Sequence, residues 1–118
     1  KKIETFLKIR KRNFNTLKKL FIKNENLTVI DSDSVIKTNS HYCLQLLLPS
    51  QNQKKRSYLI NELKKNGIGT SIYYPHPVPR LSFYKKKYKF NKKNFINSIM
   101  FSDQTICLPV GQHLKEYI

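Results

Sequence analysis

Three prolines set two residues apart, Pro75, Pro77 and Pro79, close off more folding options than any other feature of this chain. Each locks its own φ and removes a backbone donor, and each pushes the residue before it out of the helical region, so neither a helix nor a central strand can run through them. The segment is an extended, stiff loop. It follows a run at residues 68–74 that reads as a strand, and it gathers Tyr73, Tyr74, His76 and Arg80. A second strand-like run, residues 105–108, breaks in the same way on Pro109 and turns through Val110 and Gly111 toward a helix begun by Gln112.

The remaining elements follow from periodicity around these two breaks. From Lys2 to Asn24 apolar residues recur at Ile3, Leu7, Phe14, Leu17 and Phe21, with Phe6 and Leu20 widening the stripe, which predicts an amphipathic helix of about six turns. Arg10 falls inside that stripe, where it must snorkel or meet a neighbouring carboxylate. Residues 27–30 form a short strand, and residues 31–40 a polar connection in which Asp31 and Asp33 are turn formers. Residues 41–48 alternate: Tyr42, Leu44, Leu46 and Leu48 share one face, and His41, Cys43, Gln45 and Leu47 the other. Pro49 ends this strand, and Ser50 caps a helix to Asn66 with Leu59, Ile60 and Leu63 inward. Gly67 takes the left-handed position after that helix. Residues 80–88 form a short helix, and Asn91 caps another reaching Ser102. The order α-β-β-α-β-α-α-β-α predicts an α+β fold, with a small mixed or antiparallel sheet covered mainly on one face by helices.

Length and composition bound the function. At 118 residues the chain is a single domain, 1–118. No run approaches the roughly 18–20 apolar residues of a membrane span, and no export signal is visible, so a soluble protein without a membrane partner is expected. It begins at Lys1 and stops just after Leu114-Lys115-Glu116-Tyr117, and is expected to be part of a longer protein. A net charge of +16 raises nucleic acid as a partner, but lysine supplies 19 of the 23 basic residues, and readers of phosphate and base edges favour arginine's planar fork. With alanine absent and lysine, asparagine and isoleucine abundant, the charge reads as an A/T-rich coding bias. Cys43 and Cys107 lie in separate apolar segments and read as free buried thiols in a reducing cytoplasm.

Little of the usual chemistry can be assembled from these residues. The seven acidic residues offer no carboxylate pair outside Asp31 and Asp33, the three glycines make no phosphate loop, and no histidine or cysteine cluster has metal-ligand spacing. His41 and Cys43 alternate on one strand face, where their side chains run parallel rather than toward each other. The proline loop is different. Tyrosine hydroxyls and imidazole give directed hydrogen bonds, and Arg80 offers a bidentate fork to a carboxylate or phosphate, so Tyr73, Tyr74, His76 and Arg80 are the candidate binding residues. Residues 85–93 interleave aromatics with lysine as single-strand binders do. The simpler reading is a solvated turn with Tyr88 and Phe90 pointing into the core. The alternative, a small basic nucleic-acid-binding module using this run and the first helix, stays open.

The order of parts resembles the C-terminal small domain of the DegT/StrS family of pyridoxal-phosphate-dependent (fold-type I) sugar aminotransferases. A helix ending in Asn66-Gly67-Ile68 leads into a strand, the Tyr73-Tyr74-Pro75 loop follows, then an aromatic-basic segment (Phe83-Tyr84, Tyr88) and Leu108-Pro109-Val110. The resemblance implies a parent enzyme that moves an amino group from an amino acid to a keto sugar nucleotide, as a homodimer, with its active site between the domains. On that basis Tyr73, Tyr74, His76 and Arg80 stand on the substrate side. The Schiff-base lysine and the acidic partner of the cofactor belong to an N-terminal large domain absent here, so this chain carries no catalytic residue and no cofactor of its own, while the parent uses pyridoxal phosphate. Ser82-Phe83 and Lys87 match the first half of the family's cofactor-lysine run, but no glycine-rich turn follows, and the match is read as chance.

Overall fold

The computed structural model describes residues 2–31, 39–49 and 53–114. Ser50 as a helix cap, Asp33 as a turn former and the helix expected beyond Gln112 lie partly or wholly outside the described residues. The chain runs α1 (Lys2–Phe21), β1 (Thr28–Ile30), β2 (Cys43–Leu47), α2 (Gln53–Lys65), α3 (Ser82–Tyr88), α4 (Ile96–Gln104) and β3 (Thr105–Pro109), with short 3-10 turns at Val78–Arg80 and Lys92–Phe95. The three strands form one antiparallel sheet in the order β1-β2-β3. Among the described residues no helix is long and apolar enough to cross a membrane.

Alternation along β2 builds the core. Leu44 faces Leu108 and Leu46 faces Ile106 across the β2–β3 pair, and all four are buried, together with Leu48, Val110 and Phe14 of α1. Leu17 and Phe21 from α1 and Leu59, Ile60 and Leu63 from α2 pack on the same cluster, so helices cover this face of the sheet as the α+β reading expects. Tyr42 leaves the pattern and is exposed, because His41 before it takes a left-handed φ of 47° and the chain turns into the strand only at Cys43.

Local chemistry fixes the element ends. α1 stops at Phe21, short of Asn24, whose side chain accepts from the Asn26 N–H at 2.9 Å and forms the turn into β1. Glu4 near its start and Lys18 and Lys19 near its end complement the helix dipole. Gly67 has φ 76°, and the bonds from Gly67 N to the Lys64 carbonyl and from Ile68 N to the Leu63 carbonyl close α2 in the expected left-handed cap. Asn91 accepts from the Lys93 N–H at 3.0 Å, opening the 3-10 turn that leads into α4.

Two expectations need correction. Residues 68–74 are not a strand: Ser71 alone bridges Cys107, through bonds of 3.0 and 2.8 Å. The Tyr74 carbonyl is taken instead by the Ser102 hydroxyl at 2.5 Å, and the prolines beyond it have no N–H with which to extend a ladder. Tyr88 is not in the core either. It is 51% exposed, stacked between Tyr84 and Phe90, because α3 ends at Tyr88 and Lys89 turns the chain through a left-handed φ of 48°.

Candidate functional site

On the sheet face opposite the core, an open cleft of about 1690 Å³ lies between the proline loop and Cys43 and Gln45 of β2. Tyr42 and Cys43 line one side, residues 73–79 form the rim, and Phe90, Phe95 and Phe101 make the far wall. The loop is held at its edges. Ser71 bridges Cys107, Ser102 binds the Tyr74 carbonyl, and a 3-10 turn closes with Arg80 N donating to the Pro77 carbonyl at 2.8 Å. The Tyr73–Tyr74 peptide bond is cis.

Three of the four sequence candidates come together here. Tyr73 is half-buried, Tyr74 and His76 are exposed, and all three line the cleft. The Tyr73 ring meets Tyr74 edge-on at 6.0 Å. Arg80 lies outside this cleft, beside a smaller hollow shared with His76 and Lys85. Its guanidinium donates to both carboxylate oxygens of Asp103, at 2.5 and 2.7 Å. That carboxylate raises the Arg80 pKa further, so the fork offered to a ligand by the sequence reading is engaged with α4.

The structure adds residues that sequence reasoning missed. The Tyr42 hydroxyl lies 3.3 Å from that of Tyr73, and their rings are 5.7 Å apart. Hydrogen bonding to Tyr73 holds the Tyr42 pKa above its usual value, keeping that phenol protonated. The Arg10 guanidinium sits 5.9 Å over the Tyr42 ring, and its buried Nε finds no acceptor among the described residues. Arg10 thus meets an aromatic face, not a carboxylate. Nothing in the sequence pairs Tyr42 with Tyr73, which are 31 positions apart and meet only because the loop folds back over the start of β2.

Over residues 1–117 the sequence matches the description of the DegT/DnrJ/EryC1/StrS aminotransferase family. The chain belongs to that family. Solved structures with the same fold include the aminotransferase TlmJ from Streptoalloteichus hindustanus, at 18% identity and TM-score 0.79 over 97% of this chain and 29% of that one. DesV of S. venezuelae, solved in complex with a ketimine intermediate, gives 17% identity and TM-score 0.80 over 96% of this chain and 29% of that one. DesI, solved in the presence of its TDP-sugar product, gives 16% identity and TM-score 0.78 over 95% and 28%. The chain therefore spans less than a third of the length of these three proteins. No curated protein matches it.

A sugar aminotransferase of the same fold from Streptococcus pneumoniae, solved in its PLP form, raises the question of whether the residues present here fit pyridoxal phosphate. Every lysine whose side chain is described is exposed except Lys18, which is half-buried and donates to Asp31 at 2.6 Å. Lys87 projects over the rings of Phe83 and Tyr88, at 5.7 and 5.2 Å, on the outer surface of α3. No enclosed amine faces the cleft among the described residues, so they do not fit a Schiff-base site.

Proposed function

We propose that this chain is the C-terminal, substrate-side and dimer-contact domain of an aminotransferase acting on a keto sugar nucleotide. A separate large domain carries pyridoxal phosphate and the lysine that binds it. The observation that carries the reading is the tyrosine-lined cleft beneath a proline-stiffened loop on a scaffold of this family. The DesI structure with its TDP-sugar product and the DesV ketimine complex support the substrate class and the cofactor.

In this reading the linked hydroxyls of Tyr42 and Tyr73 present a donor and an acceptor to sugar hydroxyls, and His76 adds a directed polar contact at the rim. Pro75 and Pro77 offer flat apolar surface to the C–H face of the sugar ring. Arg80 serves the site by holding the loop through Asp103. The surplus of lysine attracts an anionic diphosphate to the chain as a whole. Exposed Ile3, Phe6 and Leu7 on the first turns of α1 provide the apolar contact of a homodimer. Both cysteines are free, and we assign the enzyme to the cytoplasm.

The test is made in the enzyme that joins this segment to its cofactor domain. Tyr73→Phe should raise KM for the keto sugar nucleotide about tenfold, the value of one lost hydrogen bond, and leave the half-reaction with the amino donor unchanged. Equal losses in both half-reactions would overturn the assignment. A second reading, single-stranded nucleic-acid binding, is favoured by one observation: Phe83 and Tyr88 are 63% and 51% exposed among Lys85, Lys86, Lys87 and Lys89. Binding that survives high salt would support it, whereas binding that vanishes near physiological salt is what any chain of this charge does.

A further inference from the structure

Among the described residues, Arg10 Nε is the only buried side-chain nitrogen or oxygen without a hydrogen-bond partner. Such an orphan needs a reason, because taking a polar atom from water without a replacement bond costs free energy. Its place on α1 supplies one. Arg10 stands one turn before Phe14 on the same helix face, and Phe14 lines the cleft. Among the described residues no carboxylate holds the guanidinium, which lies 5.9 Å over the ring of Tyr42, and the Tyr42 hydroxyl in turn lies 3.3 Å from that of Tyr73. The two phenols are not equivalent. Among the described residues no cation lies over the Tyr73 ring, which meets only the rings of Tyr42 and Tyr74. A cation above a phenol draws electron density from its oxygen, which makes that O–H the better donor and that oxygen the poorer acceptor.

We propose that Arg10 sets the direction of this hydrogen bond, so that Tyr42 donates to Tyr73 and Tyr73 gives its own O–H to an acceptor oxygen of the ligand in the cleft. Arg10 is then a positioning residue that acts through Tyr42 and does not touch the ligand. Two effects combine. The charge polarises the Tyr42 O–H, and the bond that Tyr73 receives strengthens the bond that Tyr73 gives. The guanidinium also steadies the Tyr42 ring, which is 61% exposed and has little else to keep its hydroxyl beside that of Tyr73. A Tyr73 oxygen already accepting from Tyr42 favours a carbonyl, ether or phosphate oxygen over a ligand group that has to donate. The hydrogen bond to Tyr73 raises the Tyr42 pKa and the Arg10 charge lowers it, the signs expected of a donor beneath a cation. Only the identity of the ligand, a keto sugar nucleotide, rests on the function proposed above.

The relay is tested on the 118-residue chain itself. With 3,5-difluorotyrosine in place of tyrosine, whose phenol ionises near neutral pH, fluorine NMR follows each ring, and the Tyr42 signal is assigned by its loss in Tyr42→Phe. Arg10→Met should lower the Tyr42 ionisation constant about threefold, the effect of removing one charge at this distance in a partly solvated site, whereas Arg10→Lys should keep it near its original value. Arg10→Gln is the second neutral variant if the first does not fold. An unchanged Tyr42 ionisation in a folded neutral variant would overturn the proposal. The direction of the bond is tested in the enzyme that joins this segment to its cofactor domain. There Arg10→Met should raise KM for the keto sugar nucleotide about threefold, and no further when Tyr73→Phe is already present. 3-Fluorotyrosine at position 73, a stronger donor and a weaker acceptor, should lower that KM. Additive losses, or a KM raised by the fluorinated residue, would equally overturn it. If Tyr73→Phe leaves KM unchanged, the substrate-side reading fails, and the fluorine titration still decides the relay by itself.

Discussion

If Arg80 fixes the proline loop through Asp103, the two residues must be energetically coupled, and a double-mutant cycle with Arg80→Ala and Asp103→Asn reads that coupling directly. Two charge centres about 4 Å apart attract by about 4 kcal/mol at an effective dielectric of 20, before desolvation and side-chain entropy are subtracted. The Arg80 side chain is 34% exposed and that of Asp103 is 17% exposed, so solvent screens the pair substantially. Exposed pairs measured by such cycles return roughly 0.2–1 kcal/mol, and the bidentate geometry places this one at the top of that range. We therefore expect a coupling of about 1 kcal/mol in urea unfolding at low salt, shrinking at 1 M salt, where the Debye length is about 3 Å. Arg80→Lys should recover less than half of it, since an ammonium cannot make the fork. The folded pKa of Arg80 is raised by Asp103, so its contribution is complete below arginine's unfolded value and is lost only as pH rises through the folded one, which leaves it constant across neutral and mildly basic pH. A coupling near zero would show that Arg80 acts alone, and would return it to direct substrate binding.

Two further outcomes follow from α1. Asn13, buried on this helix, donates to the carbonyls of Val110 and Gly111 at 3.3 and 3.1 Å, so Asn13→Ala should cost about 1–2 kcal/mol. Asn13→Asp, which turns the donor into an acceptor, should cost more at neutral pH and recover as pH falls through its raised folded pKa; urea midpoints at neutral and acid pH check this, and equal losses for both variants would refute it. Ile3, Phe6 and Leu7, exposed at 63, 36 and 37%, should drive concentration-dependent self-association that Phe6→Lys abolishes, whereas sedimentation of an unchanging monomer would refute a contact role for this face.

The parts of the fold set by local rules were legible in the sequence. Alternation from Leu44 to Leu48 gave the buried face of β2, Gly67 gave the end of α2, and Asn91 gave a cap, because each is decided by residues within a turn of one another. Misreadings arose where distant partners decide. Residues 68–74 carry the composition of a strand, yet a ladder needs a free edge and a run of donors, and Ser102 diverts the chain at Tyr74 before the prolines remove the donors. Tyr88 has the spacing of a core residue, but spacing says only which residues share a face, and the turn at Lys89 leaves that face to solvent.

The same distinction explains how much of the site could be read. Proline stiffness and the clustering of Tyr73, Tyr74 and His76 are local, so the loop was found, but what fixes it in space is not local. Three of its anchors come from residues 102–107: the Ser102 hydroxyl donates to the Tyr74 carbonyl, Asp103 accepts from Arg80, and Cys107 bridges Ser71 through its backbone. Arg56 of α2 in turn donates to the Ser102 carbonyl at 2.8 Å, tying this junction to the helical layer. A loop without a ladder of its own is thus held at three points by one short segment where α4 runs directly into β3. Substitutions at Ser102, Asp103 or Cys107 should therefore reshape the cleft as strongly as substitutions in the loop, although only Ser102 of the three lines the cleft.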